Sequence, residues 1–287
     1  MSNLIDLRRR IKSVKNTQQI TQAMKTVSTA RFKKSQRTML EARPYWHTLP
    51  DLLEKIVYWA GKNSHPLLFE REEKKIEGVV ITSDKGLCGA FNSNLLAAAY
   101  SFFKEKSPHS EVHLVLVGKK AVNFFKRHPL PIDRAYSEKV DKLNIQNLRE
   151  IAQFLMRLYV FNKCDAVYVV YNEFKSILSP RITVSKLLPL SPQEGEGSQA
   201  LLPLGWEPEA ISVLNRLLPL YVENQLAHCF FESQAAEHAA RMMAMDNATK
   251  NAEDLISNLV LVLNKVRQAS ITKELLEIMT AVEALTK

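Results

Sequence analysis

The chain has 287 residues, with 39 Lys and Arg against 30 Asp and Glu, a net charge of +9. That length supports a full-sized core in one large or two medium domains, and the positive balance calls for an acidic partner: nucleic acid, an anionic membrane surface or an acidic protein face. Three cysteines scattered at Cys88, Cys164 and Cys229 exclude a disulfide framework and a cysteine metal cluster.

The first predicted element is a long helix over residues 1–60, bent near Pro44, because residues 1–43 contain neither Pro nor Gly. The start lacks an apolar h-region, so no signal peptide is expected. Leu4, Leu7, Ile11 and Val14 repeat at 3-4-3 spacing, the seam of a coiled coil. Thr17, Gln18 and Gln19 then interrupt it, and the apolar spacing restarts at Ile20, Met24 and Val27 on another face, a phase shift. Arg8, Arg9, Arg10, Lys12, Lys15, Lys25, Arg31, Lys33, Lys34 and Arg37 make this helix strongly basic.

Residues 75–190 read as an α/β domain with parallel strand pairing. Ile76–Thr82, Val112–Val117, Ala166–Tyr171 and Arg181–Leu188 are strand-like, and helices are expected over Leu95–Phe103, Ala121–Phe125 and Ile145–Phe161. No apolar run reaches the length of a membrane span. Residues 191–209, rich in Pro and Gly, are a loop or linker.

Residues 210–287 are predicted as a second long helix, free of Pro and Gly from Leu220 onward. Met245, Ala248, Ala252, Leu255, Leu259, Val262, Val266 and Ala269 repeat at 3-4 intervals, and the spacing restarts at Ile271, Leu275, Ile278, Val282 and Leu285. A single helix of that length would reach roughly 100 Å, more than a globular core needs. The two ends are therefore expected to form one antiparallel two-helix rod with level outer ends.

Three chemistries compete at the level of residues. Thr82–Asn92 joins a strand to a helix, where α/β proteins place phosphate loops and nucleophiles, but it fits neither common phosphate-loop fingerprint. Cys88 there could be the nucleophile of a cysteine-dependent hydrolase, with His109, His113 or His128 as base. The alternative is that Gly86 and Gly89, with Cys88, shape a tight strand-to-helix turn. The basic N-terminal helix admits nucleic-acid binding, against which stands the scarcity of aromatics for base stacking. The histidines show no metal-ligand spacing.

Long motifs then carry a resemblance. Asp6–Lys25, Ser83–Asn92, the set Glu232, Ser233, Glu237, Arg241–Met245, Ala248, Asn251 and Ala252, and Asn264–Glu277 resemble, in order, the gamma subunit of F-type, proton-translocating ATP synthases of bacterial type. One departure is Ala281-Val282, where the family has a Gly-Ala pair. The resemblance implies a fold in which an antiparallel coiled coil from both chain ends is joined to a central Rossmann-like α/β foot. It implies a non-catalytic rotary shaft that couples proton flow through the membrane sector to ATP synthesis on beta subunits, and helps regulate ATPase activity and proton flow. The implied partners are the ring of alpha and beta subunits, the epsilon subunit and the ring of c subunits, with no nucleic acid and no cofactor. The implied location is the cytoplasmic side of the cell membrane, as a peripheral component. Met24 and Lys25 match the segment that meets an acidic loop of beta, and Arg267, Gln268, Thr272 and Glu274 match polar residues that hydrogen-bond to the ring.

Overall fold

A computed structural model describes residues 2–61, 64–137, 145–177, 180–191 and 210–285. Helix α1 is Ser2–Ala60, followed by a short 3-10 turn, Pro66–Leu68. The centre then alternates β1 Lys75–Ile81, α2 Phe91–Lys106, β2 Glu111–Val117, α3 Lys119–Phe125, β3 Ile132–Tyr136, α4 Ile145–Val160, β4 Ala166–Phe174 and β5 Pro180–Leu188. Helix α5 is Ala210–Leu285. The expected loop over 191–209 lies, from residue 192, outside the described residues.

The five strands form one sheet in the order β3-β2-β1-β4-β5. The first three pairings across that order are parallel, and β5 closes the edge antiparallel to β4. The central strands read as unbroken apolar runs because both their faces are covered. On one face Ile76, Val80, Leu114, Leu116 and Val170 pack under Leu95, Ala99 and Phe103 of α2 and Phe125 of α3. Gly78 belongs to this face: a Cβ there would lie 2.3 Å from Phe103 Cζ, so the missing side chain is what lets the ring close onto β1. On the other face Val79, Ile81, Val115, Val167 and Val169 pack with Leu148, Ile151, Leu155 and Tyr159 of α4. Leu53, Ile56 and Val57 of α1 and Leu214, Leu218 and Val222 of α5 join the same core.

The chain forms two compact units: Met1–Thr29 with Arg241–Lys287, and Ala30–Ala240. The second therefore takes in more than the expected 75–190, since the neighbouring stretches of both long helices supply part of its core. Helix α1 continues through Pro44 and Pro50, and α5 through Pro219. Strand β3 was not expected from sequence. Only its end positions are even half-buried, so Ile-Asp-Arg-Ala-Tyr lacks the apolar alternation of a covered strand.

The two-helix unit corrects the expected seams. On α1 the positions turned inward are Leu4, Leu7, Ile11, Val14, Gln18, Thr21, Lys25 and Ser28, an unbroken 3-4 repeat. Ile20 and Val27, expected to start a second stripe, are exposed. There is no phase shift, only a seam that turns polar halfway along. On α5 the inward positions are Met245, Thr249, Ala252, Ile256, Leu259, Leu263 and Val266, while Leu255 and Val262 are exposed. Every second seam position thus falls one residue later than the apolar spacing suggested, because polar Thr249 rather than Ala248 lies in the buried row.

Candidate functional site

Cross-links between the two helices fix their register. Lys25 Nζ lies 2.6 Å from Asp246 Oδ1, Gln18 Nε2 donates to Glu253 Oε1 at 3.0 Å, and the Thr249 and Thr21 hydroxyls meet at 2.8 Å. Each step toward the start of α1 is a step toward the end of α5. Leu4 therefore falls opposite Arg267, and the outer ends are not level. Some fifteen residues of α5, roughly 22 Å at 1.5 Å per residue, extend beyond the first turn of α1. Ile271, Leu275, Ile278 and Val282 on this stretch are all exposed. They belong to the apolar stripe expected from sequence, which among the described residues runs on past the register of the first turn of α1; the burial of Leu285, its last expected position, lies outside the described residues.

The polar stretch of the seam is satisfied locally as well as across the pair. Thr21 donates to Gln18 O at 2.9 Å, and Thr249 lies 2.8 Å from Met245 O, the i−4 carbonyl. Asp246 is bridged by Lys25 and by Lys250, 2.9 Å from its second oxygen. The hydrogen bond from Lys25, then that from Lys250, holds its carboxyl below the usual range. Lys25 is one of the inward seam positions, and Met24, half-buried as well, lies beside it. Lys25 spends one ammonium donor on Asp246 and has two more. Arg267, Gln268, Thr272 and Glu274 are all exposed, with Thr272 Oγ1 donating to Gln268 O at 3.0 Å. Sequence reasoning missed Asp246. Its signal was an acid four residues before Lys250, on the helix that pairs with a basic one.

The turn between β1 and α2 is the second candidate. Ser83 and Asn92 hold it together: Ser83 N donates to Asn92 Oδ1 at 3.2 Å, Asn92 Nδ2 donates to Ser83 Oγ at 2.8 Å, and the Ser83 hydroxyl reaches Lys85 O at 2.7 Å. Asn92 Nδ2 also lies 3.1 Å from Cys88 Sγ. Leu87 at φ 62 and Gly89 at φ 58 are left-handed, the conformation that reverses the chain. Thr82 ties the turn to the next strand by donating to Val117 O and accepting from Ala121 N. Cys88 is 2% exposed and packs with Phe91 and with Ala236 of α5. Two of the three histidines proposed as its base are engaged elsewhere, and His109 lies exposed in the turn between α2 and β2, at the opposite end of the strands from Cys88. His113 sits in β2 beside Glu77, at the far end of the strands from this turn, bonded to Asp133 and Glu111. His128 stacks on Phe124 at 4.3 Å. This geometry makes Gly86, Cys88 and Gly89 part of a docking turn against α5, and it gives a thiolate no route to substrate.

Among the described residues no helix is long and apolar enough to cross a membrane, and no group of three His, Cys, Asp or Glu is placed to hold a metal ion.

Comparison with known proteins agrees with the two-helix unit and the sheet. A family model described as ATP synthase matches residues 3–285. The ATP synthase gamma chain of Pelotomaculum thermopropionicum is 46% identical over 285 residues, covering 99% of this chain and all of that one. The chain belongs to the ATP synthase gamma family. A second gamma chain, from Desulforudis audaxviator, is 43% identical over 297 residues with the same end-to-end coverage. Among solved structures, a chain of the Euglena gracilis mitochondrial ATP synthase, from its OSCP/F1/c-ring part in rotational state 3, superposes with a TM-score of 0.70 over 99% of this chain and 95% of that one. At 21% identity this likeness speaks for the fold alone. A chain of the same enzyme's rotor superposes with a TM-score of 0.66.

Proposed function

We propose that this chain is the central rotary shaft of an ATP synthase, coupling ion flow to ATP synthesis by mechanical contact and performing no bond chemistry itself. The observation that carries the reading is the end-to-end match to gamma chains together with an antiparallel helix pair on which Arg267, Gln268, Thr272 and Glu274 are exposed. Identical catalytic sites differ only if something unsymmetric touches them differently, and a partner shifts a conformational equilibrium only through differential contact energy. A two-helix shaft with one helix longer than the other is unsymmetric at every angle of rotation.

The residues take roles in this scheme. Lys25, with two donors beyond its bond to Asp246, and Met24 beside it meet an acidic loop of the beta subunit. Arg267, Gln268, Thr272 and Glu274 hydrogen-bond to the surrounding alpha and beta ring. Residues 75–190 form the foot that contacts the epsilon subunit and the c ring. Residues 1–60 and 210–287 make the shaft, and 191–209 link the two. The chain works at the cytoplasmic face of the cell membrane, held there by its partners, and the chemistry of ATP stays on the beta subunits.

The test is ATP-driven proton pumping by the assembled enzyme carrying Gln268→Leu with Thr272→Val. Both changes remove exposed polar groups without touching the described core, so assembly is retained and pumping falls several-fold. Full wild-type pumping would refute the assigned contacts.

A further inference from the structure

The sheet has a place where folds of this kind commonly hold a ligand. From β1 the chain passes through α2 to β2 on one side, and from β3 it passes through α4 to β4 on the other, so the strand order reverses beside β1. In open α/β sheets the crevice outside the carboxyl ends of the strands at that reversal is the binding site. Here those ends are the turn after β1, which leads to Phe91 at the start of α2, and Phe174, the last residue of β4. Cys88 and Phe91 pack with Ala236 of α5, and Phe174 and Ala240 pack against them, in a small cluster separate from the two main cores. The crevice is taken by a helix of the chain itself.

The contact is built from both sides. Ala236 and Ala240, four residues apart, share one face of α5, where small side chains let the turn come close. Cys88, Phe91 and Ala236 are 2%, 5% and 1% exposed. The turn that presents Cys88 and Phe91 is held by Ser83 and Asn92, both buried, and Asn92 Nδ2 reaches Cys88 Sγ as well as Ser83 Oγ. Phe174 also reaches the other long helix: its ring centre lies 5.4 Å from that of buried Phe32 on α1. One edge of the sheet therefore grips α1 and α5 together, close to Ala30 and Ala240, the limits of the sheet unit. The other holds lie deeper, at Leu53, Ile56 and Val57 on α1 and between Leu214 and Phe230 on α5.

We propose that Phe91 and Phe174 are positioning residues of a collar that clamps both long helices at the edge of the sheet, and that this collar sets how stiffly sheet and shaft turn as one body. The inference rests on the rotor reading. Without the collar the nearest hold in the main core is Leu53 on α1 and Phe230 on α5. The length of α1 beyond its hold then grows from about 45 to about 75 Å, and that of α5 from about 70 to about 80 Å, at 1.5 Å per residue. The angular variance of a rod under thermal motion rises in proportion to its free length, so losing the collar raises it by a factor of about 1.5.

The test uses the assembled enzyme, fixed by its ring and stalled without ATP, with a single-molecule probe attached to the chain at Asn123→Cys before assembly. Asn123 is exposed on α3 and the three native cysteines are buried, so the label goes to the introduced thiol. The readout is the variance of the probe's thermal angular distribution. Phe91→Ala with Phe174→Ala raises it about 1.5-fold over the Asn123→Cys parent. Leu114→Ala, a cut in the fully buried core under α2 that leaves the collar intact, keeps the parent value, which separates stiffness from loss of stability. Phe174→Leu keeps apolar bulk but loses the ring contact with Phe32 and gives a smaller increase, so it carries the test if the double variant fails to assemble. Equal variance in the parent and the collar variants overturns the proposal, and so does equal widening by Leu114→Ala. Adding ATP to the parent separates the two readings: a probe that never turns refutes the rotor, and a turning probe with unchanged variance in the collar variants refutes the collar alone.

Discussion

Replacing Glu77 by Gln removes a charge that folding must suppress, and the effect is read as a change in the pH dependence of stability. A carboxyl raised to about 8 in the folded chain is protonated in both states below its ordinary value, so it has no influence there. Above that value the unfolded chain gives up its proton while the folded chain retains it. The folded state therefore loses stability steadily as pH rises toward 8. At 1.36 kcal/mol per pH unit the loss amounts to about 3 kcal/mol by pH 7. With a urea slope on the order of 3 kcal/mol per molar for a unit this size, the wild-type midpoint falls by about 1 M between pH 5 and pH 7. His113 contributes in the same direction. The Asp133 hydrogen bond raises its pKa, so the stability it supplies is full below its ordinary value and is lost as pH climbs past the raised one. That contribution is present in both proteins and leaves the variant with only a shallow slope. The assay is urea unfolding of the full chain followed by tryptophan fluorescence at half-unit pH steps. Parallel midpoint curves for wild type and Glu77→Gln would refute the reasoning.

Three further outcomes follow from the same structure. Glu73 accepts from Tyr168 at 2.7 Å and Lys106 at 2.9 Å and pairs with Lys186 at 3.0 Å. Burial raises its pKa, but these bonds outweigh that and bring it to about 2. Its stabilisation is therefore complete above the ordinary carboxyl value and lost as pH falls toward 2, so Glu73→Gln flattens the acid limb of the unfolding profile while leaving the neutral region parallel to wild type. Gly118 has φ 102, and a Cβ there would lie 2.3 Å from Thr82 O. Gly118→Ala should destabilise the sheet unit by about 2–4 kcal/mol in the same urea assay, and an unchanged midpoint would contradict the described contact. Finally, Thr21→Cys with Thr249→Cys should form a disulfide on mild oxidation, because those hydroxyls already touch. Leu7→Cys with Val282→Cys should not, and the reverse pattern on a reducing-versus-oxidising gel would overturn the register.

Most of the architecture was legible because the central strands carry their burial as apolar runs and the helices as spaced leucines and valines. Most of what escaped notice had one cause: polar residues doing inward-facing work. The seam of α1 looked broken at Gln18 because only apolar residues were followed, although Gln18, Thr21, Lys25 and Ser28 keep the heptad spacing without a gap. The seam of α5 was misplaced by one position for the same reason, with Thr249 standing in the buried row. Glu77 passed unremarked inside Ile76-Glu77-Gly78-Val79, although one acid in a strand otherwise covered on both faces was a visible signal. Strand β3 was invisible because its neighbours cover too little of it to impose a pattern. The turn residues Gly86, Cys88 and Gly89 were found, but only the fold distinguishes a docking turn from a nucleophile loop, through the burial of Cys88 against Ala236.

The unaccompanied end of α5 has a mechanical consequence. Fifteen residues in water would scarcely hold a helix by themselves, because the first turn is so unfavourable to start. Here the start is inherited: the segment grows from a helix already locked to α1, and only propagation is required of it. Its order should fade turn by turn with distance from that lock, so the last turns behave as a compliant tip whose shape answers to whatever sleeve encloses Ile271, Leu275, Ile278 and Val282.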